Sequence, residues 1–160
     1  MMIIRQTTEA DWQKLRQIRL ESLLESPKAF SWTHSLASQL TESDWRKRAA
    51  AADYPIFFFA LENEHPVGLI GGVIENSEFN LISMWVAPTS RGRGVGELLV
   101  ATLKIHARKT GFDKMGLLVS PENKPASHFY LKQGFVFLDP AEALPKDDKM
   151  SQKMAMKIST

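Results

Sequence analysis

Arg91-Gly92-Arg93-Gly94-Val95-Gly96 is the stretch of this chain whose residue types and spacing lend themselves most directly to chemistry. Glycine lets a backbone turn sharply and lets a ligand come close to its N–H groups, and a helix starting there adds about half a positive charge from its aligned peptide dipoles. Such a segment can cradle an anion, with two guanidinium groups beside it. Taken alone, these glycines read equally as an ordinary strand-to-helix turn, because they match neither the G-x-G-x-x-G of dinucleotide folds nor the G-x-x-x-x-G-K-[ST] of phosphate loops. The chain has no cysteine, which excludes thiolate catalysis, Cys-ligated metals and disulfides. His34, His65, His106 and His128 lack metal-ligand spacing, so no metal site is expected.

The elements that must carry this loop can be read from periodicity and punctuation. Apolar runs at Ile56 to Leu61, Val67 to Ile74 and Phe79 to Val86, separated by short polar segments, predict consecutive antiparallel hairpins. After Pro88, Val95, Leu98, Leu99, Thr102 and Ile105 recur at helical spacing, basic residues fill the last turn, and Gly111 follows. The loop therefore lies between a strand ending at Val86 and a helix of about four turns. Met115 to Val119 reads as a strand, Pro125 to Gln133 as a short helix stopped by Gly134, and Phe135 to Leu138 and Lys153 to Ile158 as closing strands.

Upstream, Met2 to Gln6 reads as an edge strand. Thr8 with Asp11 and Thr41 with Asp44 are capping-box starts for helices running to about Leu24 and Ala52. An aromatic connection, Ala29-Phe30-Ser31-Trp32, joins them. The expected class is α/β (α+β), a mixed and mostly antiparallel sheet of about six to seven strands with helices on both faces, in a single domain over residues 1–160.

Two blocks in this chain resemble the GCN5-related N-acetyltransferase (GNAT) superfamily. The first is an R/Q-x-x-G-x-G/A loop at Arg91, Gly94 and Gly96. The second is an N-x-x-A-x-x-x-Y-x-x-x-G-F pattern at Asn123, Ala126, Tyr130, Gly134 and Phe135. The resemblance spans the chain from about Ile56 onward, and the two capped helices before it also fit the family's layout.

This resemblance implies acetyl-CoA as cosubstrate, with its pyrophosphate on the amides of Arg91, Gly92, Arg93, Gly94, Val95 and Gly96. Its pantetheine arm would enter between two splayed strands at Met84, Trp85 and Val86, with Asn123, Ser127 and Tyr130 beside it. The Val86 N–H would polarise the acetyl carbonyl. Asn123 also reads as a plain turn residue. Tyr130 falls where the family keeps a general acid, and a phenol near pKa 10 is neutral at pH 7 and suited to protonating a departing thiolate. Some relatives place a Glu base six residues before the position of Val86. Here that position is Asn80, so the expected base is Glu78, ahead of His34 or His128, with Ser83 able to hold a relaying water.

On the acceptor side the resemblance implies Phe30 and Trp32 as substrate-binding residues, near the acids Asp139, Glu142, Asp147 and Asp148 with Lys146 among them. An aromatic wall with acids would suit a cationic amine, while the same rings also read as a cover for the core and the acids as a solvated loop.

The composition is compatible with this picture. The 44% hydrophobic content supports a proper core, and 20 Lys+Arg against 18 Asp+Glu is too even for a nonspecific nucleic-acid binder. No apolar run reaches the ~18 residues of a membrane span, and MMIIRQ lacks the pattern of a secretion signal, so a cytoplasmic protein is expected. The expected function is an N-acetyltransferase moving acetyl from acetyl-CoA directly to a primary amine of a small molecule or peptide, and the resemblance leaves a homodimer open, since dimers are common among relatives. The alternative is a non-catalytic acyl-CoA-binding or regulatory module, motivated by the missing strand carboxylate.

Overall fold

The run Ile56-Phe57-Phe58-Phe59-Ala60-Leu61 is apolar without alternation, the pattern of a strand buried on both faces. In the computed structural model, which describes residues 1–30, 32–138, 142–143 and 150–158, it is a central strand with helices on both sides. Ile56, Phe58 and Ala60 face one cluster and Phe57, Phe59 and Leu61 the other.

The strands are β1 (Met2–Gln6), β2 (Ile56–Glu62), β3 (His65–Glu75), β4 (Glu78–Val86), β5 (Lys114–Val119), β6 (Val136–Phe137), β7 (Glu142–Ala143) and β8 (Met150–Lys157). The helices are α1 (Trp12–Glu25), α2 (His34–Ala37), α3 (Glu42–Ala50), α4 (Val95–Lys109) and α5 (Lys124–Gln133). The sheet runs β1-β2-β3-β4-β5-β8-β6, with β7 also paired to β8. All its pairings are antiparallel except β4 with β5.

Both hairpins of the meander turn on two residues of positive φ, Asn63 and Glu64 in one and Asn76 and Ser77 in the other. Left-handed conformation at both central residues is the turn whose twist matches that of the flanking strands. The Thr41 capping box forms: Asp44 N–H donates to Thr41 Oγ1 at 3.2 Å, and Thr41 N–H donates to Asp44 Oδ2 at 2.9 Å. The Thr8 box instead opens a 3-10 turn, Glu9–Asp11, so that α1 begins at Trp12. Leu15, Ile18 and Leu23 of α1 and Trp45 and Ala49 of α3 cover one sheet face, while Val95, Leu99 and Leu103 of α4 cover the other. The short helix α2, which periodicity did not predict, is capped by Thr33 Oγ1, which accepts from Leu36 N–H at 3.1 Å.

Candidate functional site

β4 and β5 pair in parallel only at Phe79 with Met115 and Asn80 with Gly116, and beyond that point the two strands part. A Cβ on Gly116 would stand 2.7 Å from Asn80 Oδ1, so the amide of Asn80 is seated at the apex of the opening. The same β4 carries a bulge against β3 between Leu69 and Gly71, with Ser83 in the left-handed region at φ 56. Bulges bend a strand and re-aim its groups. Ala87 N–H donates to the Val67 carbonyl at 2.8 Å and Val86 stands opposite Gly68, so by antiparallel alternation Val86 turns its own N–H and C=O away from β3, towards β5.

The loop after β4 divides its work among three glycines. Gly92 and Gly94 hold φ of 78 and 82, which only glycine adopts freely, and Gly94 is the residue that enters α4. Gly96 serves packing: a Cβ there would meet the Phe129 ring at 3.0 Å and Met84 Cε at 3.2 Å. No side chain caps α4, which leaves first-turn N–H groups open to an outside acceptor.

Both loop arginines are held by acids. Arg91 pairs with Glu25 Oε1 and donates Nε–H to the Val86 carbonyl at 2.9 Å, and Arg93 Nη2 stands 3.0 Å from Glu62 Oε2. Glu25 also accepts from Trp85 Nε1 at 3.1 Å, and bonds from Ser26, Arg91 and Trp85 hold its carboxyl below the usual range. The Trp85 side chain is buried in the cluster that α1 and α3 form on the sheet.

A cleft of about 650 Å3 runs along the parted strands. It brings together Met84, Asn123, Tyr130 and Glu78 with Phe30 and Trp32, which are distant in sequence. Asn123 Oδ1 accepts from Ala126 N–H at 3.3 Å and so also caps α5, the turn role its type suggests. Ser127 is buried and donates to the Lys124 carbonyl at 3.2 Å, so its hydroxyl serves its own helix. Tyr130 packs edge-on to Phe129 and Phe135, and burial pushes its phenol well above the usual range, so it carries its proton throughout neutral pH.

Glu78 lines the cleft but is bonded to Lys153 Nζ at 2.7 Å, which lowers its pKa. His34 and His128 do not line it, and His128 is exposed. Asn80 and Ser83 do. The acids Asp139, Asp147 and Asp148 and Lys146 lie outside the described residues, as does the side chain of Glu142.

Reading the sequence did not single out every cleft residue, and two cations are among those it missed. Arg19 and Arg48 line the end of the cleft near Phe30 and Trp32. A signal for Arg19 existed: it stands four residues after Leu15 and three before Ser22, on the buried stripe of α1, where an unbalanced charge is costly. Phe30 and Trp32 line the cleft as expected, and among the described residues the cations stacked on them are Arg19 and Arg48.

Known proteins share this arrangement. The profile of the Acetyltransferase (GNAT) family matches residues 12–135. Streptothricin acetyltransferase from Streptomyces lavendulae is 36% identical over 62 residues, which are 39% of this chain and 33% of that protein, so the match spans about a third of that relative. The acetyltransferase of the GNAT family from Streptococcus pneumoniae superposes with a TM-score of 0.83 at 21% identity, over 99% of this chain and 100% of that one. PaiA N-acetyltransferase from Thermoplasma acidophilum, in complex with coenzyme A, superposes with a TM-score of 0.72 at 17% identity, over 98% and 99% of the two chains. At these identities the structural likenesses speak for the fold.

Proposed function

This chain belongs to the Acetyltransferase (GNAT) family, and from that premise we propose that it transfers the acetyl group of acetyl-CoA directly to a primary amine of a small molecule or peptide. The observation that carries the reading is the parting of β4 from β5, with the Val86 N–H turned into the opening and Tyr130 lining the same cleft. The residues present fit the cosubstrate: unpaired strand backbone for an amide-bearing arm, uncapped N–H groups of α4 and two positive-φ glycines for phosphates.

Acetyl-CoA supplies a thioester whose carbonyl carbon takes the amine and whose sulfur departs as a thiolate. The Val86 N–H polarises the carbonyl oxygen, a donor already aimed and needing no reorganisation. Amides of Arg91, Gly92, Arg93, Gly94, Val95 and Gly96 hold the pyrophosphate. Arg91 and Arg93, occupied by Glu25 and Glu62, shape the loop and offer their remaining donors. Met84 and Trp85 contribute strand backbone, and Asn123 and Ser127 stand at the α5 end of the arm's path. Tyr130 donates its proton to the sulfur. Glu78 accepts the proton of the amine; its bond to Lys153 keeps it ionised at neutral pH but makes it a weak base. Phe30 and Trp32 bound the acceptor.

With no cysteine in the chain, an acyl-enzyme on sulfur is excluded, which favours direct transfer in a ternary complex. Asn80 at the apex, where a strand carboxylate would serve as base, favours a second reading: a module that binds acyl-CoA without turnover. The test is acetyl-CoA-dependent thiol release over polyamines, amino acids, aminoglycosides and peptides with free N-termini. Saturable release with at least one amine is expected. Coenzyme A binding with no release from any amine would favour the module, and no binding of acetyl-CoA at millimolar concentration would sink both readings.

A further inference from the structure

Arg19 is only 7% exposed, yet among the described residues no carboxylate stands within ion-pair distance of its guanidinium. Among the described residues its side chain has one long bond, Nη1–H to Ser22 Oγ at 3.4 Å, and the Ser22 hydroxyl is itself spent on the Arg19 carbonyl. A guanidinium offers five donors and is costly to bury without an anion. What surrounds it instead is aromatic and positive. The Phe30 ring lies 4.6 Å and the Trp32 ring 5.7 Å from its central carbon, and Arg48 stacks on the same Trp32 ring at 5.0 Å.

Among the described residues Arg48 is equally without an ion pair. The acid one turn before it, Asp44, is engaged in capping its own helix through Thr41. Across the cleft, Glu78 is bonded to Lys153, and Glu75 stands exposed at the end of β3. Burial together with the nearby Arg48 lowers the Arg19 pKa to about 10, still far above neutrality, so both groups are cations in use. Ring faces repay part of the desolvation of such cations, but they satisfy none of the in-plane N–H donors.

We propose that the acceptor is an amine that also carries an oxyanion, as amino acids and peptide C-termini do, and that Arg19 and Arg48 bind that oxyanion beside Phe30 and Trp32. The idea rests on the acetyl-transfer reading for the word acceptor, but the anion site itself does not. Planar guanidinium forks suit carboxylate and phosphate alike, and each charge-assisted contact to a desolvated anion is strong. Rings on either side suit the hydrocarbon part of the molecule.

The experiment compares matched acceptors. Amino acids are set against their decarboxylated amines, and phosphoethanolamine against ethanolamine, with thiol release as readout in the wild type, Arg48→Gln and Arg19→Lys. The oxyanion-bearing member of a pair should have kcat/KM at least about tenfold higher. Arg48→Gln should remove that preference through KM of the acceptor, lowering kcat/KM of the oxyanion-bearing member at least about tenfold more than that of its decarboxylated partner. Arg19→Lys, which keeps the charge but not the planar fork, should weaken the preference part-way, with its melting temperature read alongside to separate binding from folding. A preference confined to one pair assigns the anion as carboxylate or phosphate. Equal or better turnover of the decarboxylated amines, or an intact preference in Arg48→Gln, would overturn the proposal.

A second readout stands apart from turnover. Calorimetric titration of N-acetyl amino acids should give binding that their C-terminal amides lack and that Arg48→Gln abolishes. If no amine releases thiol while this Arg48-dependent carboxylate binding persists, acetyl transfer is the reading that falls and the anion site stands. If carboxylates bind no better than amides, the anion site falls.

Discussion

Tyr130 and Glu78 face one cleft with opposite electrostatic histories. Burial keeps the phenol protonated, whereas Lys153 keeps the carboxyl ionised, which is the division of labour an acid and a base require. Tyr130→Phe should lower kcat by about 100-fold with KM for acetyl-CoA changed less than about twofold, since in the proposed mechanism the hydroxyl acts only as sulfur departs. Steady-state kinetics decide it, and an unchanged kcat would remove Tyr130 from the chemistry. Glu78→Gln should cost about tenfold in kcat/KM at pH 7, a deficit that closes as pH rises towards 10 and the amine loses its proton unaided. A pH-independent deficit would make Glu78 a structural partner of Lys153 instead. Asp11 makes a residue-scale prediction about stability. Bonds from Arg5 Nη1 and Nη2 at 2.7 and 2.9 Å hold its pKa down to about 2. A carboxyl depressed in the folded state stabilises above its unfolded pKa near 4 and loses that contribution as pH falls through 2, a loss of about 2 kcal/mol. Acid denaturation of Asp11→Asn should therefore start from a less stable protein at pH 6 and show a shallower decline below pH 4.

The elements around the loop explain why its glycines differ. Gly94 needs a left-handed φ, and a Cβ there would meet nothing nearer than Glu97 Oε2 at 3.6 Å, so Gly94→Ala strains one residue by roughly 1 kcal/mol and shifts the amides it carries. Gly96 is where α4 comes close to α5 and β4, so Gly96→Leu must displace Phe129 and Met84. The expected pattern is a small change in melting temperature with weakened coenzyme A binding for Gly94→Ala, and a fall of several degrees for Gly96→Leu. Calorimetry of both variants checks it, and equal melting temperatures would contradict the packing role of Gly96. Space along the helix places the larger stability cost at Gly96. Strand β4 is likewise legible as apolar and extended, but its bulge at Ser83 is not, because a left-handed serine has no composition signature.

At the scale of the molecule, the opening between β4 and β5 divides one sheet into two arms. A ligand that supplies the missing pairing should stiffen both arms. Coenzyme A at 100 times its Kd should add about 2.7 kcal/mol, a rise in melting temperature of roughly 5–10 °C. Hydrogen exchange should slow in residues 81–86 and 117–119 on the two sides of the opening. Protection confined to the loop at 91–96 would mean that the arm of the ligand lies elsewhere. Among the described residues no helix is long and apolar enough to cross a membrane.

Local chemistry made much of this legible from the sequence alone. Caps, two-residue turns, the doubly buried run from Ile56 and the spacing from Asn123 to Phe135 each depend on neighbours a few residues apart. They suffice for the element order, the mixed sheet and the family. Contacts between distant segments were decided only by the tertiary structure. Asp44 and Arg48 share a helix turn, yet it is packing that brings Arg48, Arg19 and Trp32 to one end of the cleft. Glu78 reads as a free carboxylate until β8 delivers Lys153 to it from 75 residues away. The charge at this end of the cleft is a sum over segments that meet only in space, so no local pattern could carry it.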